Sequence, residues 1–190
     1  MAKRFVVVSG LPASGKSTLA QRMAPLLGLP VFDKDTILES LFESKGTGDL
    51  AWRRSLSRVS DSILRSEAMA SGGAVLVSHW RLPGMPPDSG TPTDWLSRLS
   101  SHVVNIHCEC DAEVAADRFM RRERHPGHLD SERSRSEILD SIRSVACLGR
   151  LGIVPRVDVD TSQTPDPDAV VREVLEAFER RLPLPDAFGR

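Results

Sequence analysis

A lysine and a serine follow a glycine-containing run near the start of the chain, and their spacing indicates phosphate chemistry. Residues 10–17 read GLPASGKS and fit the pattern G-x-x-x-x-G-K-[ST] at every fixed position. Glycines in this pattern let the backbone wrap around a phosphate, so that successive N–H groups point inward. The sequence therefore predicts that Lys16 reaches the β- and γ-phosphates of a nucleotide and that Ser17 offers its hydroxyl to Mg²⁺.

The residues around this run favour a phosphate-binding loop over a chance glycine-rich turn. A short β-branched run precedes it at residues 4–9, and a helical stretch follows at residues 16–27. The N-terminus of that helix would add favourable partial charge next to a bound anion. We expect the nucleotide phosphates to contact the following residues: Gly10, Ala13, Ser14, Gly15, Lys16, Ser17 and Thr18.

Two aspartates follow the second predicted strand, which covers residues 29–32. A carboxylate at this strand end can accept the proton of an attacking hydroxyl and orient its oxygen. Asp35 is predicted to act as this base, and a helix N-cap is the alternative interpretation of the same residue. Asp33 is predicted to contact the acceptor, or else to begin the turn or cap the helix. Lys34, between the two acids, is expected to be solvated.

Four arginines lie on and just after a helix predicted at residues 111–124. Arg118, Arg121 and Arg122 have i, i+3 and i+4 spacing and would share one helix face, and Arg124 follows them. Guanidinium groups on one face repel one another unless an anion lies near, and a triphosphate would be such a partner. We expect Arg118 near adenine or the α-phosphate, and Arg121, Arg122 or Arg124 near the β- and γ-phosphates. The alternative is a solvated helix surface.

The segment after the third predicted strand, residues 74–77, carries side chains suited to holding an acceptor molecule. Trp80 can stack on a ring or sugar face, and His79 and Arg81 can donate hydrogen bonds. We therefore predict that these three residues form one wall of the acceptor site. A plain core position is the alternative for Trp80.

A helix predicted at residues 51–70 opens with a second group of candidates. Trp52, Arg53 and Arg54 are predicted to form the opposite wall of the acceptor site. Thr161, which follows the fifth predicted strand, is expected near adenine because ligands of such sheets bind at the strand ends.

The third predicted strand ends without the aspartate that many phosphate-loop enzymes use to hold Mg²⁺ through water. Either Asp35 takes that role, or Ser17, phosphates and water hold the ion, which Mg²⁺ tolerates. A zinc site is not expected, because Cys108 and Cys110 have the wrong spacing and fit buried strand positions better.

Strands and helices alternate along the whole chain. Predicted strands are separated by helical stretches, and they cover residues 4–9, 29–32, 74–77, 103–108 and 156–159. This alternation indicates an α/β fold in which a parallel sheet is covered on both faces. The carboxyl ends of the strands would then bring the candidate residues to one edge.

The chain resembles the P-loop kinases of the nucleoside-monophosphate-kinase type in three segments: GLPASGKST at 10–18, FDKDTILESLF at 32–42 and DRFMRRERHPGH at 117–128. It is most similar to the small bacterial AAA_33 or zeta-toxin-like group, which includes chloramphenicol phosphotransferase. The resemblance implies a P-loop NTPase fold with a five-stranded parallel sheet of order 2-3-1-4-5 and a small arginine-rich lid. It also implies ATP, Mg²⁺ and transfer of the γ-phosphoryl group, and it leaves the acceptor open.

We expect one P-loop kinase domain over residues 1–182, followed by a tail at residues 183–190. The lid is predicted at about 118–135, and the acceptor-side segments at about 35–60 and 78–98. These limits follow from the alternation of elements and from the resemblance.

The composition of the 190-residue chain excludes some classes of protein. A formal net charge of −1 makes a nucleic-acid partner unlikely, and the chain has no apolar stretch long enough to span a membrane. Its three cysteines make no disulfide framework, so we expect a cytoplasmic protein. The oligomeric state is not readable from these features.

The predicted function is that of an ATP- and Mg²⁺-dependent phosphotransferase acting on a hydroxyl of a small molecule, with Asp35 as the base. One alternative is a nucleoside or nucleoside-monophosphate kinase, in which Arg53, Arg54 or Arg81 would bind the acceptor. The other is a nucleotide-binding regulatory module with little turnover.

Overall fold

The computed structural model describes residues 3–100, 102–130 and 133–180. Within these residues the chain forms five strands, which are β1 (Arg4–Gly10), β2 (Val31–Asp33), β3 (Gly73–Val77), β4 (Val103–Glu109) and β5 (Arg156–Asp160). Six α-helices alternate with them: α1 (Lys16–Leu27), α2 (Lys34–Lys45), α3 (Leu50–Ala70), α4 (Ala112–Arg121), α5 (Arg135–Ala146) and α6 (Pro167–Glu179). Short 3₁₀ turns lie at Leu96–Arg98 and Pro126–His128.

The strands form one parallel sheet of order β2-β3-β1-β4-β5. At its centre, Val8 of β1 lies opposite Val77 of β3 and Ile106 of β4. A central strand with helices on both sides has no solvated face, which explains the continuous apolar run of β1. The observed order confirms the predicted fold class.

The side chains of β1 divide alternately between two hydrophobic layers. Val6 and Val8 pack with residues of α1 and α6, whereas Phe5 and Val7 pack with Leu64 of α3. All five side chains are fully buried. Burial stabilises each by about 1.5–3 kcal/mol, so the two layers hold the loops at the carboxyl edge of the sheet in place.

Helix α2 begins at Lys34, and Asp33 caps it. The Asp33 carboxylate accepts a hydrogen bond from the backbone N–H of Asp35 at 2.9 Å. Asp35 therefore lies inside the first turn, where its negative charge faces the positive end of the helix. The alternative interpretation of Asp35 as the N-cap was wrong.

Among the described residues, no helix is long and apolar enough to cross a membrane. The tail predicted at 183–190 lies outside the described residues, as do residues 131–132 of the predicted lid.

Candidate active site

A cavity of about 720 Å³ opens where β1, β2 and β3 end, and we call it the main cavity. The loop after β1, the turn after β2, the start of α3 and the segment after α4 all line it. Its charged lining residues are Lys16, Arg22, Asp33, Asp35, Arg53, Arg118, Arg122, Arg124, Asp130 and Arg133. Basic side chains outnumber acidic ones in this set, so the main cavity suits a polyanion.

The loop after β1 has the backbone shape that a phosphate loop needs. Gly10 has a φ of +137°, and a Cβ added there would lie 2.6 Å from the carbonyl oxygen of Cys108. Gly15, with a φ of +91°, occupies the N-cap of α1 and offers no side chain to its first turn. The orphan N–H groups of that turn are therefore available to an anion.

Lys16 lies buried in this loop without a carboxylate in contact. Its Nζ donates hydrogen bonds to the carbonyls of Gly10 at 3.1 Å and Leu11 at 2.6 Å, which are its hydrogen-bond partners in the described part of the chain. Burial lowers the pKa of Lys16. Nearby, the buried hydroxyl of Ser14 has no partner among the described residues. Both groups fit a bound phosphate.

Ser17 and Asp33 are in direct contact. The Ser17 hydroxyl donates to Oδ2 of Asp33 at 2.5 Å, while Oδ1 of Asp33 caps α2. Burial raises the pKa of Asp33, although the hydrogen bond from Ser17 opposes this shift. The pair presents a hydroxyl and a carboxylate, which are oxygen ligands of the kind that Mg²⁺ prefers.

Asp35 faces the segment that follows α4. Arg124 donates to Asp35 in a short ion pair and to Asp130 at 2.6 Å. Desolvation by the cavity walls would raise the pKa of Asp35, but Arg124 and the other nearby cations outweigh it and lower the pKa. The Asp35 side chain is 52% exposed, so an ionised carboxylate remains accessible from the cavity.

Two further arginines lie where a nucleotide would extend from the phosphate loop. Arg118 donates to the backbone carbonyls of Thr161 at 2.7 Å and Ser162 at 2.8 Å. Arg122 lies over the ring of Phe119, 4.1 Å from its centroid, and its buried Nε has no partner among the described residues. Burial lowers the pKa of Arg122 to about 10. Its guanidinium still carries its charge at neutral pH and can bind an anion.

The HPGH turn packs the segment after α4 onto α2. His125 stacks on Phe42 with ring centroids 5.2 Å apart, and a Cβ at Gly127 would lie 2.6 Å from the same ring. His128 is buried, and its Nε2 donates to Glu39 at 2.9 Å, since a carboxylate only accepts. These contacts hold the predicted lid over the Asp35 side of the main cavity.

His79 and Arg53 also line the main cavity. Burial, followed by the charges of Lys16 and Lys34, lowers the pKa of His79 to about 4, so its imidazole is neutral at pH 7. Burial also lowers the pKa of Arg53, and its buried Nε has no partner among the described residues. Arg53 can therefore bind a second anionic group in the main cavity.

Two of the side chains predicted to hold the acceptor point away from the main cavity. Trp80 is 4% exposed, packs against Trp95 and donates its indole N–H to the carbonyl of Val8 at 2.8 Å, so it is a core residue. Arg81 donates to the carbonyls of Ser89 at 2.9 Å and Gly90 at 3.2 Å. Arg81 therefore fastens the proline-rich segment instead of facing the cavity.

One of the three residues predicted to form a wall at the start of α3 lines the main cavity. Trp52 is 39% exposed and donates its indole N–H to the carbonyl of Gly46 at 3.0 Å, and Arg54 faces Asp88 at 3.9 Å. Successive helix residues point about 100° apart, so only Arg53 of these three faces the main cavity.

The structure also leaves Arg121 outside the main cavity. It is exposed, and its Nε donates to the backbone carbonyl of Asp117 at 3.2 Å. The prediction of a shared helix face assumed that the helix continues to residue 124. Helix α4 ends at Arg121, and Arg122 has extended backbone, so Arg122 and Arg124 turn toward the cavity without it.

Sequence reasoning missed Asp130 and the partner of Lys34. Asp130 binds Arg124 and also lies 3.9 Å from Arg122. Lys34 is buried and pairs with Asp61 of α3 at 2.7 Å, so the expectation that Lys34 is solvated was wrong. Neither acid belongs to a motif, and only the packing of the elements brings them to these cations.

The sheet order, the phosphate loop after β1 and the arginines over the main cavity together define a P-loop kinase fold. The model of the family AAA_33, described as an AAA domain, matches residues 5–146. The chain belongs to this family.

Curated relatives of the chain are kinases. A shikimate kinase of Mycobacterium leprae is 26% identical over 192 residues, which cover 100% of this chain and 89% of that enzyme. A shikimate kinase of Rhodopseudomonas palustris is 28% identical over 133 residues, or 65% of this chain and 58% of the enzyme. A cytidylate kinase of Pyrobaculum calidifontis is 29% identical over 124 residues, or 62% and 60%. The chain thus spans less than two thirds of the last two relatives.

Solved structures support the same fold. A protein of Chloroflexus aurantiacus, proposed to be a kinase, is 26% identical and has a TM-score of 0.75, with 93% of this chain and 99% of that chain covered. These comparisons confirm the predicted kinase-type fold, and they name more than one acceptor.

Proposed function

We propose that the chain is an ATP- and Mg²⁺-dependent phosphotransferase that moves the γ-phosphoryl group of ATP to a hydroxyl of a small anionic molecule. One observation carries this proposal: a single cavity holds Lys16, which has no acid partner among the described residues, and an accessible ionised carboxylate, Asp35. The first suits the phosphates of ATP, and the second suits a hydroxyl that must lose a proton.

The phosphate loop would bind ATP by exchanging internal hydrogen bonds for bonds to phosphate. Lys16 would release its two carbonyls, and the first N–H groups of α1 would receive phosphate oxygens. Arg122, whose Nε lacks a partner among the described residues, would take the β- and γ-phosphate side. Arg118 is already held by the loop after β5 and would lie beside adenine.

Ser17 and Asp33 would hold Mg²⁺ together with phosphate and water oxygens. Among the described residues, no three His, Cys, Asp or Glu side chains cluster into a metal site. A hydroxyl and one carboxylate suffice for Mg²⁺, which keeps several waters. When bound, Mg²⁺ neutralises charge on the phosphate oxygens.

Asp35 would act on the acceptor hydroxyl. As the hydroxyl oxygen bonds to the γ-phosphorus, its proton passes to the Asp35 carboxylate, and the bond from the γ-phosphorus to the bridging oxygen of ADP breaks. Arg124 would move from Asp35 toward the transferring phosphoryl group, where its guanidinium stabilises the developing charge. The lid seated on α2 would exclude water during this step.

Arg53 supports an anionic acceptor. Its buried Nε lacks a partner in the described part of the chain, and the residue lines the main cavity near Asp35 and Arg124. A neutral acceptor would leave this buried N–H donor without a partner, which is costly. Shikimate and cytidylate, the acceptors that the names of the relatives give, both carry an anionic group.

The experiment compares matched acceptors that differ in one charge. ATP consumption with Mg²⁺ would be measured with shikimate against methyl shikimate, and with cytidine 5′-monophosphate against cytidine. Mass spectrometry would detect the gain of one phosphoryl group. We expect transfer to the anionic member of a pair and little to the neutral one.

The outcomes separate the parts of this proposal. Equal transfer to both members of a pair would remove the anionic class and leave the kinase. Transfer to the phosphate of cytidylate would favour a nucleoside-monophosphate kinase. Tight ATP binding with no transfer to any alcohol or phosphate would favour a regulatory module and contradict the proposal.

A further inference from the structure

A carboxylate that does not line the main cavity, Asp61 of α3, joins two segments that do. Its Oδ1 accepts a hydrogen bond from Nζ of Lys34 at 2.7 Å and another from the hydroxyl of Thr91 at 2.7 Å. Lys34 lies between Asp33 and Asp35 in the chain, and Thr91 belongs to the proline-rich segment after β3. One carboxylate oxygen therefore connects the turn after β2 with that segment.

Thr91 carries the connection on to the exit of β3. Its hydroxyl oxygen lies 2.5 Å from that of Ser78. Because the Thr91 proton goes to a carboxylate that can only accept, Ser78 donates to Thr91. The backbone N–H of Thr91 also donates to the carbonyl of His79 at 2.7 Å, and its carbonyl accepts from Arg81 at 2.8 Å. The exit of β3 is thus fixed to Asp61.

The contact with Asp61 also determines which carboxylate pairs with the ammonium of Lys34. An ammonium between two aspartates would pair with one of them if nothing else held it. Lys34 is buried, and its Nζ contacts Asp61. This leaves Asp35 to its ion pair with Arg124. A buried ammonium that lost its partner would seek the nearest carboxylate, because an unpaired buried charge is costly.

We propose that Asp61 is a positioning residue for phosphoryl transfer. It holds the Lys34 ammonium away from Asp35 and keeps the turn after β2 at a fixed separation from His79. The inference rests on the proposed function, since positioning matters only where transfer takes place. A displacement of about 1 Å in such a site can cost roughly a hundredfold in rate.

The test compares three variants with the wild-type chain: Asp61→Asn, Lys34→Met and the double variant. Asparagine still accepts the hydrogen bond from Thr91 but removes the charge that faces Lys34. ADP formation from ATP and Mg²⁺ would be followed with shikimate, with cytidine 5′-monophosphate and with water as acceptor. Asp88→Asn, which removes one partner of an exposed ion pair with Arg54, is the matched control.

We expect kcat of Asp61→Asn to fall by roughly ten- to a hundredfold, while the affinity for ADP by calorimetry is unchanged. The double variant should be faster than Asp61→Asn, because no released ammonium then competes for Asp35. A double variant no faster than Asp61→Asn would overturn the proposal. So would parallel losses in kcat, ADP affinity and melting temperature, which a purely structural role would give.

Hydrogen exchange supplies a readout that needs no turnover. Lys34→Met should raise amide exchange at residues 78–81 as well as in the first turn of α2, because Asp61 links the two. Unchanged exchange at residues 78–81 would also overturn the proposal. A wild-type chain that turns over with none of the three acceptors would instead contradict the proposed function, and the exchange result would stand apart from it.

Discussion

The two sides of the main cavity are built in different ways. On the phosphate side, backbone groups form the site, and Lys16 contacts only carbonyls in the described part of the chain. On the acceptor side, charged side chains hold one another, as Arg124 does with Asp35 and Asp130. The phosphate side therefore has only hydrogen bonds to carbonyls to exchange for an anion, whereas the acceptor side must break an ion pair before it can act.

The sharpest way to break this comparison is to remove the exchangeable carboxylate. Asp35→Asn should lower phosphoryl transfer by about 10²- to 10⁴-fold, because the acceptor hydroxyl loses its base. ADP affinity, measured by calorimetry, should be unchanged, because the phosphate side is intact. Transfer at a near-native rate would mean that Asp35 only stabilises the first turn of α2.

The chain offers a matched control for this variant. Asp168 lies in the first turn of α6, two residues after the N-cap Asp166, as Asp35 does after Asp33 in α2. Its backbone N–H is capped in the same way, at 3.1 Å. Asp168→Asn should therefore reproduce the helix effect of Asp35→Asn without any loss of transfer.

The phosphate side is tested by Lys16→Ala. Transfer should fall by about 10²- to 10³-fold, because a preorganised donor to the phosphates is lost. Unlike Asp35→Asn, this variant should also weaken ATP binding, which calorimetry would measure. Lys45→Ala, at the exposed end of α2, is the control. Unchanged turnover and binding in Lys16→Ala would refute the phosphate-loop assignment.

Arg53→Met sharpens the comparison within the acceptor side. The KM for an anionic acceptor should rise about ten- to a hundredfold, since a hydrogen bond to a charged group contributes about 1.5–3 kcal/mol. The KM for the neutral member of the same pair should not change. Arg54→Met, one residue along α3 and outside the cavity, should leave both values unchanged. An equal effect of the two variants would argue against Arg53 as the anion ligand.

Asp33 couples the metal to pH. Because burial raises the pKa of Asp33, its carboxylate gains a proton at a higher pH than an ordinary aspartate does. The affinity of the ADP-bound chain for Mg²⁺ should therefore fall as the pH drops through this raised pKa, by up to about tenfold per pH unit below it. Calorimetric titrations would measure the Mg²⁺ affinity between about pH 5 and 8, where proteins are usually most stable. Asp33→Asn should remove the pH dependence that remains after correction for ADP.

The smallest expected effect tests whether Trp80 belongs to the core or to the wall of the acceptor site. Trp80→Phe should lower the free energy of unfolding by about 1–3 kcal/mol, because the carbonyl of Val8 loses its buried donor. Acceptor KM should not change, since Trp80 packs in the core. Denaturant unfolding and steady-state kinetics would measure the two quantities. A raised KM for the acceptor at unchanged stability would indicate that Trp80 contacts the acceptor after all.

The two sides also differ in how far the sequence predicts them. The phosphate loop depends on local backbone shape, so the spacing of Gly10, Gly15 and Lys16 was enough to find it. The five strands and their order followed from alternation and resemblance, and the structure confirms them. The acceptor side depends on which way side chains turn. Trp80 was predicted as a wall because its type suits stacking, but burial of its indole N–H against β1 makes it core.

The rotation of one helix about its axis and the end of another explain most of the remaining differences between the predicted and observed acceptor side. The sequence could not show which of Trp52, Arg53 and Arg54 faces the cavity, because this depends on how α3 is rotated about its axis. Arg121 was placed with Arg122 because the helix was expected to run to residue 124. These errors amount to one to three residues in a helix boundary or phase, and side-chain contacts depend on both.

Helix α3 has a consequence for engineering new specificities. Arg53 and Asp61 lie on it two turns apart, so one rigid element carries both the proposed anion ligand and the proposed anchor of the catalytic turn. Neither belongs to the glycine loop or to the sheet. Substitutions at Arg53, with Asp61 kept, should therefore change which acceptors the chain takes, while the residues proposed to bind ATP stay unchanged.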